Sequence, residues 1–298
     1  MEGLTDGLEG PLLVAGAGGL LGTEILRVLA AKAVRCRATT RNRAGTLAVE
    51  SPHIEVIACD LERAADAARA VAGVRVVVSC VGGSLDPRAF RDRGSYESVD
   101  HAVNGRLLEA AVAAGVRRFV YVSVFSPPAL SHTAYVRAHE KFAAELRQAP
   151  MQSVVVRPTG FFHSYLEMMR MAESGRGIVI GSGEARTNPI HEADVAVECV
   201  RALTCEEATI DAGGPEILTR REIQALAFRA LDREPRITHL PAAPFTLGSA
   251  LVRPFHPRLG ELLEFGTVAS TVDIVAPARG RRDLESYMRA AARNAIRP

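Results

Sequence analysis

The residues Pro11-Leu-Leu-Val-Ala-Gly-Ala-Gly-Gly-Leu-Leu-Gly22 constrain this chain more than any other stretch. The apolar residues from Leu12 to Ala15 read as a short buried strand, and the glycines that follow make a sharp exit from it. Leu20, Leu21, Ile25, Leu26 and Leu29 then recur at helical spacing, so a helix begins near Leu20. The glycines at 16, 19 and 22, with Gly18 between them, form a GxxGxxG pattern. In a unit of strand, glycine turn and helix, the first glycine makes the turn. The second lets backbone amides approach a ligand, and the third lets the helix lie close to the sheet. The start of a helix offers unpaired N–H groups and a partial positive charge, which suits a pyrophosphate. Gly16, Gly18, Gly19, Leu20, Leu21 and Gly22 are therefore the expected anion-binding segment.

The same alternation continues down the chain. Residues 34–40, 54–58, 74–81, 118–124 and 153–156 read as strands, with helical stretches at 64–72, 96–114 and 135–148 between them. Strands joined through helices pair in parallel with right-handed crossovers. The fold class expected is α/β, a doubly wound parallel sheet of the Rossmann kind, with residues 1–160 as its dinucleotide-binding core. Residues 161–298 are expected to form a smaller, mainly helical substrate-binding part. Its strands near 177–180 and 208–211 are expected to join the core sheet.

Composition narrows the function classes. Lys and Arg total 36 against 34 acidic residues, a net charge of +2 with the basic residues scattered, so nothing electrostatic calls for a nucleic-acid partner. The five cysteines form no CxxC pair and several lie in apolar strands, which reads as reduced thiols in a reducing compartment. Residues 1–10 carry no basic-then-apolar signal pattern, and no apolar run approaches the roughly 18 residues of a membrane span. A cytoplasmic protein with a small-molecule substrate, no membrane partner and no metal site is expected; a homodimer stays open.

The second strand indicates which dinucleotide. A ribose 2′-hydroxyl is held by an acidic residue about 20 positions past the glycines, whereas a 2′-phosphate needs cations. Between Glu24 and Glu50 there is no Asp or Glu, and the strand ends Thr39-Thr40-Arg41-Asn42-Arg43. NADPH is therefore the expected cofactor, with the guanidinium fork of Arg41 on the phosphate and Arg43 or Thr40 as a second donor. Asp60, followed by Leu61, can either accept from the adenine amino group or cap the next helix.

Several runs together carry a family resemblance: residues 14–22, Cys59-Asp60-Leu61, Tyr121-Val122-Ser123, Val156-Arg-Pro-Thr-Gly-Phe-Phe162 and Asn188-Pro-Ile-His-Glu-Ala-Asp-Val-Ala196. They resemble the atypical short-chain dehydrogenase/reductases with an NmrA-like NAD(P)-binding domain. Residues 137–146 and 213–219 are similar to divinyl chlorophyllide reductases and their bacterial relatives. The likeness covers about residues 11–232. It implies a Ser, a Tyr and a Lys four residues after the Tyr. The tyrosine gives or takes a proton at the substrate oxygen, and the lysine lowers the tyrosine pKa and holds the nicotinamide ribose.

This chain has Ser123 and Tyr135, but His139 stands at the lysine position. A histidine of ordinary pKa, about 6.5, is mostly neutral at physiological pH and acidifies a tyrosine less than an ammonium does. Lys141, about 200° further round the helix, faces away. Three readings remain: Tyr135 and His139 as a modified acid pair, hydride delivery to an activated C=C bond, or no catalysis. The expected function is an NADPH-dependent reductase delivering hydride to a carbonyl or conjugated C=C of a small, apolar organic substrate, with an NmrA-like NADP-binding redox sensor without turnover as the alternative. An isomerase or epimerase that keeps its cofactor is a weaker alternative. Ser123 either binds a substrate carbonyl or caps its turn. The pocket is expected between the strand ends at Val81, Gly82, Ser123 and Pro158, with Phe161, Phe162 and His163 on the substrate side. His191 and Asp194 are expected to cap a helix.

Overall fold

Leu12 and Val14 on one side of their strand, and Leu13 and Ala15 on the other, are all fully buried, so this strand lies inside a sheet covered on both faces. The computed structural model describes residues 11–41, 47–83 and 94–295. In the first half, β1 (Leu12–Ala15), α1 (Leu20–Ala31), β2 (Cys36–Thr40), β3 (Ile54–Ala58), α2 (Ala64–Val71), β4 (Val76–Ser79), α3 (Ala102–Ala113), β5 (Arg118–Val122), α4 (Ala134–Gln148) and β6 (Gln152–Pro158) follow one another. The second half contains α5 (Leu166–Glu173), β7 (Gly177–Ile180), β8 (Arg186–Thr187), α6 (Glu192–Arg201), β9 (Thr209–Ala212) and β10 (Leu218–Thr219). It ends with α7 (Arg220–Ala230), β11 (Ile237–Leu240), α8 (Ala243–Val252), α9 (Pro257–Thr271) and α10 (Leu284–Ala295).

Seven strands make one parallel sheet in the order β3-β2-β1-β4-β5-β6-β9. The order reverses between β1 and β4, and a crevice opens outside the carboxyl ends of the strands at such a point. On one face Leu12 and Val14 pack with Ile25, Leu26 and Leu29 of α1 and with Val195 and Cys199 of α6. On the other, Leu13 and Ala15 pack with Ala67 of α2, Leu107 of α3 and Phe142 of α4. Each fully buried large apolar side chain contributes about 1.5–3 kcal/mol, which sets the register firmly.

Two expectations are corrected. Residues 177–180 do form a strand, but β7 pairs with β11 in a separate two-stranded parallel sheet. The sheet edge beyond β6 is occupied by β9, which pairs from Val155 to Pro158. The helix expected over 96–114 begins as a π-helical turn, Glu97–His101, before α3. Further along, Phe162, Met169, Phe228, Leu284 and Met288 knit α5, α7 and α10 into a core of their own. Tyr96, Tyr135, Val136, Phe265 and Val268 form another between α4 and α9. That last core places α9 over the first turns of α4, next to the carboxyl end of β5.

Candidate functional site

The glycines between β1 and α1 divide into two kinds. Gly16 has φ of +83° and a Cβ there would lie 2.9 Å from the backbone of Cys80. A Cβ at Gly22 would run into the Gly16 carbonyl and lie 2.7 Å from Ala17 Cα. The fold itself demands these two. At Gly18 and Gly19 a Cβ would meet nothing closer than 3.5 Å (Thr40 Oγ1) and 3.4 Å (Gly16 O). The folded chain has room there that it does not fill. Gly19 is the N-cap of α1, with no capping side chain and no acidic residue in the first turn, so no side chain of that turn answers the positive end of the helix. Leu20 is exposed and Leu21 buried.

The end of β2 lies against this loop, since the space beside Gly18 is bounded by Thr40. Arg41 follows and is exposed; Arg43 lies outside the described residues. Asp60 Oδ1 accepts from the Glu62 N–H at 3.1 Å, and the Asp60 N–H donates to Asp66 at 2.9 Å. The expected cap is not formed: the N-cap of α2 is Arg63, without a side-chain cap, and Asp60 holds the turn before it, while Leu61 belongs to the core. Past β4, the Val81 carbonyl accepts from Asn104 Nδ2 at 3.1 Å, and Gly82 is followed by Gly83, whose N–H donates to Asp100. Asp100 is fully buried and pairs at 3.5 Å with Arg258 of α9. The Arg258 guanidinium lies 4.0 Å from the Tyr96 ring centre, and the Tyr96 N–H donates to Glu261 at 2.9 Å. The strand-end loop is thereby tied to α9.

The alternation of β5 puts Phe119, Tyr121 and Ser123 on the side facing α4. Tyr135 lies in the first turn of α4 and His139 one turn on, their rings 4.6 Å apart and edge to face. Tyr96 and Phe265 pack on Tyr135 at 4.8 and 4.7 Å. Tyr121 Oη lies 2.6 Å from His139 Nδ1. Burial pushes the His139 pKa down to about 4, so the ring is neutral at physiological pH. Burial first, then the charges of Asp100 and Tyr96, hold Tyr135 well above the ordinary tyrosine pKa, with Arg258 opposing them. Lys141 is on the exposed side, paired with Glu97 at 2.8 Å.

Two buried polar atoms here have no hydrogen-bond partner among the described residues: His139 Nε2 and Ser123 Oγ. Leaving such a group unpaired costs about 1–3 kcal/mol, and a ligand bearing hydroxyls and a carbonyl would satisfy both. Ser123 does not cap its turn. Pro158 ends β6, and its carbonyl accepts from the Phe125 N–H at 2.8 Å. The residues expected on the substrate side do not converge. Phe161 is half-buried and bridges to Ile190. Phe162 is packed in the separate core with His191 and Tyr287, and His163 is exposed. His191 caps α6 by accepting from the Ala193 N–H at 3.0 Å. Asp194 instead clamps the chain at Arg281 and Arg282.

Sequence reasoning missed Tyr121, Tyr96, Asp100 and Arg258. For Tyr121 a signal existed, because period-two alternation sets it on the same face as Ser123. Arg258 lies 158 residues from Asp100, and no local pattern joins them.

The adenine-nicotinamide class fits what is present. A cradle at Gly18 and Gly19 meets a helix start without a cap, and two orphaned polar atoms lie at the carboxyl end of β5. Residues 16–206 match the sequence profile of a family described as NAD(P)H-binding. The chain is 30% identical over 284 residues to the chloroplastic divinyl chlorophyllide a 8-vinyl-reductase of Oryza sativa subsp. indica, covering 87% of this chain and 69% of that protein. It is 26% identical over 200 residues to subunit 9 of the mitochondrial NADH dehydrogenase (ubiquinone) 1 alpha subcomplex of Arabidopsis thaliana. That match covers 63% of this chain and 48% of the subunit, so the chain spans about half that relative's length. Its fold matches an Escherichia coli NADPH-dependent quinone oxidoreductase solved with NADPH. The TM-score is 0.70 at 20% identity, over 87% of this chain and 89% of that one. Among the described residues, no helix is long and apolar enough to cross a membrane.

Proposed function

Because this chain belongs to the NAD(P)H-binding family, we propose that it is an NADPH-dependent reductase of a small, apolar, conjugated acceptor such as a quinone or an enone. Gly18, Gly19 and the start of α1 hold the diphosphate, Arg41 the 2′-phosphate, and Ser123 and His139 meet the nicotinamide end. Bound there, the dihydronicotinamide supplies a hydride.

The protein's own groups decide which acceptor suits it. Reducing an isolated ketone concentrates negative charge on one oxygen and calls for a proton donor of matched acidity. Tyr135 is the candidate, but its pKa is raised and the group that would lower it is a neutral histidine. A quinone or enone spreads the charge over an enolate or phenolate, so a weak donor suffices. Ser123 Oγ donates to the acceptor carbonyl. Tyr96, Tyr135 and Phe265, with Val124 and Phe125 beside them, supply an apolar surround. The observation that carries this reading is the buried imidazole of His139 standing where an ammonium would be needed to make Tyr135 a strong acid.

The test is NADPH oxidation by the purified protein with matched quinones, enones and simple ketones. Turnover is expected with the conjugated acceptors, and NADPH is expected to bind more tightly than NADH, a preference that Arg41→Ala removes. Faster turnover of ketones would overturn the choice of acceptor. NADPH binding without turnover across the whole panel would overturn the reductase and leave a cofactor-occupancy sensor.

A further inference from the structure

We infer that Tyr121 is a positioning residue that holds His139 in the tautomer protonated at Nε2, so that the ring presents one directed N–H donor to the hydroxyls of the nicotinamide ribose. The inference rests on the cofactor site proposed above.

The hydrogen-bond inventory of a fully buried phenol decides the tautomer. Tyr121 has no solvent exposure, and burial keeps it a neutral phenol, so its O–H must find an acceptor inside the protein. The partner in reach is His139 Nδ1, at the 2.6 Å of a short O–H···N bond. If Nδ1 carried the proton, it would donate to the phenol oxygen and strand the phenolic hydrogen in a dry interior. With Nδ1 accepting, every atom of the pair is used but one. That one is Nε2–H, buried and without a partner among the described residues.

The ring is not free to turn away. Tyr121 stacks on it at an interplanar angle of 30°, and Tyr135 meets it edge to face at 75°. A lysine at this position would bring a charge and three donors on a flexible stem. His139 brings one uncharged donor whose direction is set from β5 rather than from its own helix. The ligand group that fits an isolated, oriented N–H next to Tyr135 is an acceptor hydroxyl, and the ribose diol is the part of the cofactor that offers one.

The test has two arms. In the wild-type protein without ligand, histidine 15N spectra are expected to show His139 with a pyridine-type Nδ1 and a protonated Nε2; a protonated Nδ1 would overturn the inference. In fluorescence and calorimetric titrations, Tyr121→Phe is expected to weaken NADPH about fivefold, the worth of one net hydrogen bond. ADP, which lacks the nicotinamide ribose, is expected to bind Tyr121→Phe as it binds the wild type. Unchanged NADPH affinity in Tyr121→Phe would overturn the inference while leaving the cofactor site standing. A wild type that binds neither NADPH nor ADP would overturn the cofactor site itself, and the inference with it. Should Tyr121→Phe lose ADP as well as NADPH, its fold is damaged, and the wild-type spectrum decides the matter.

Discussion

His139 couples acid stability to the proposed site. Its pKa falls from 6.5 to about 4 on burial. Above pH 6.5 neither the folded nor the unfolded ring is protonated and the native state keeps its full stability. As the pH falls from about 6.5 toward 4, only the unfolded chain takes up the proton, and stability drops by up to about 3 kcal/mol. His139→Gln, which keeps a polar side chain without a titrating ring, is expected to flatten this fall by close to one proton. Urea unfolding at a series of pH values measures it. A glycine pair tests the loop in the same way. Gly22→Ala is expected to cost about 1–3 kcal/mol by overpacking against the Gly16 carbonyl. Gly19→Ala is expected to cost under about 1 kcal/mol yet weaken NADPH by about tenfold or more, or 1.4 kcal/mol. Thermal melts and fluorescence titration separate the two. The glycine spacing and the histidine four residues past Tyr135 were legible in the sequence because both are local. The tyrosine that orients the histidine was not, since it arrives from a neighbouring strand.

At the level of elements, the strands of the main sheet were visible as apolar runs, and helices α1 and α4 as periodic ones. Residues 177–180 show the limit. Gly-Ile-Val-Ile reads as a strand in any context, but which sheet receives it is not a local matter, and the edge beside β6 is occupied by β9. Ile237–Leu240, its actual partner, is a short segment between Pro235 and Pro241 that gives little periodic signal. Asp194 departs from expectation for a related reason. It sits in the first turn of α6, where a carboxylate normally serves its own helix. Here it accepts the Arg281 and Arg282 N–H groups at 2.9 and 3.1 Å and the Arg282 guanidinium. Asp194→Ala is expected to destabilise the protein by about 2 kcal/mol, because two backbone donors lose their acceptor. Hydrogen exchange at Arg281 and Arg282 should quicken, while the β1 amides stay protected.

Across the whole molecule, the buried pair of Asp100 and Arg258 joins the loop after β4 to α9, and so joins the cofactor-facing half to the helices that cover Tyr135. Removing one member takes a buried opposite charge away from the other, which costs about 3–5 kcal/mol. Arg258→Met is expected to show a loss of that size in denaturant unfolding. The double variant Asp100→Asn, Arg258→Met is expected to lose clearly less than the sum of its two single variants. Additive losses would show that the pair does not act as a unit.

The sequence by itself determined the parallel sheet, the glycine loop between β1 and α1 and the cationic end of β2, because each depends on residues within about one strand, turn and helix. It also determined that no lysine follows Tyr135 by one turn. Only the tertiary structure decided what His139 does. Its protonation depends on burial, its tautomer on a phenol from β5, and its surroundings on an arginine and an aromatic ring from α9. Those are contacts between segments far apart in the chain, and long-range packing rather than local pattern brings them together.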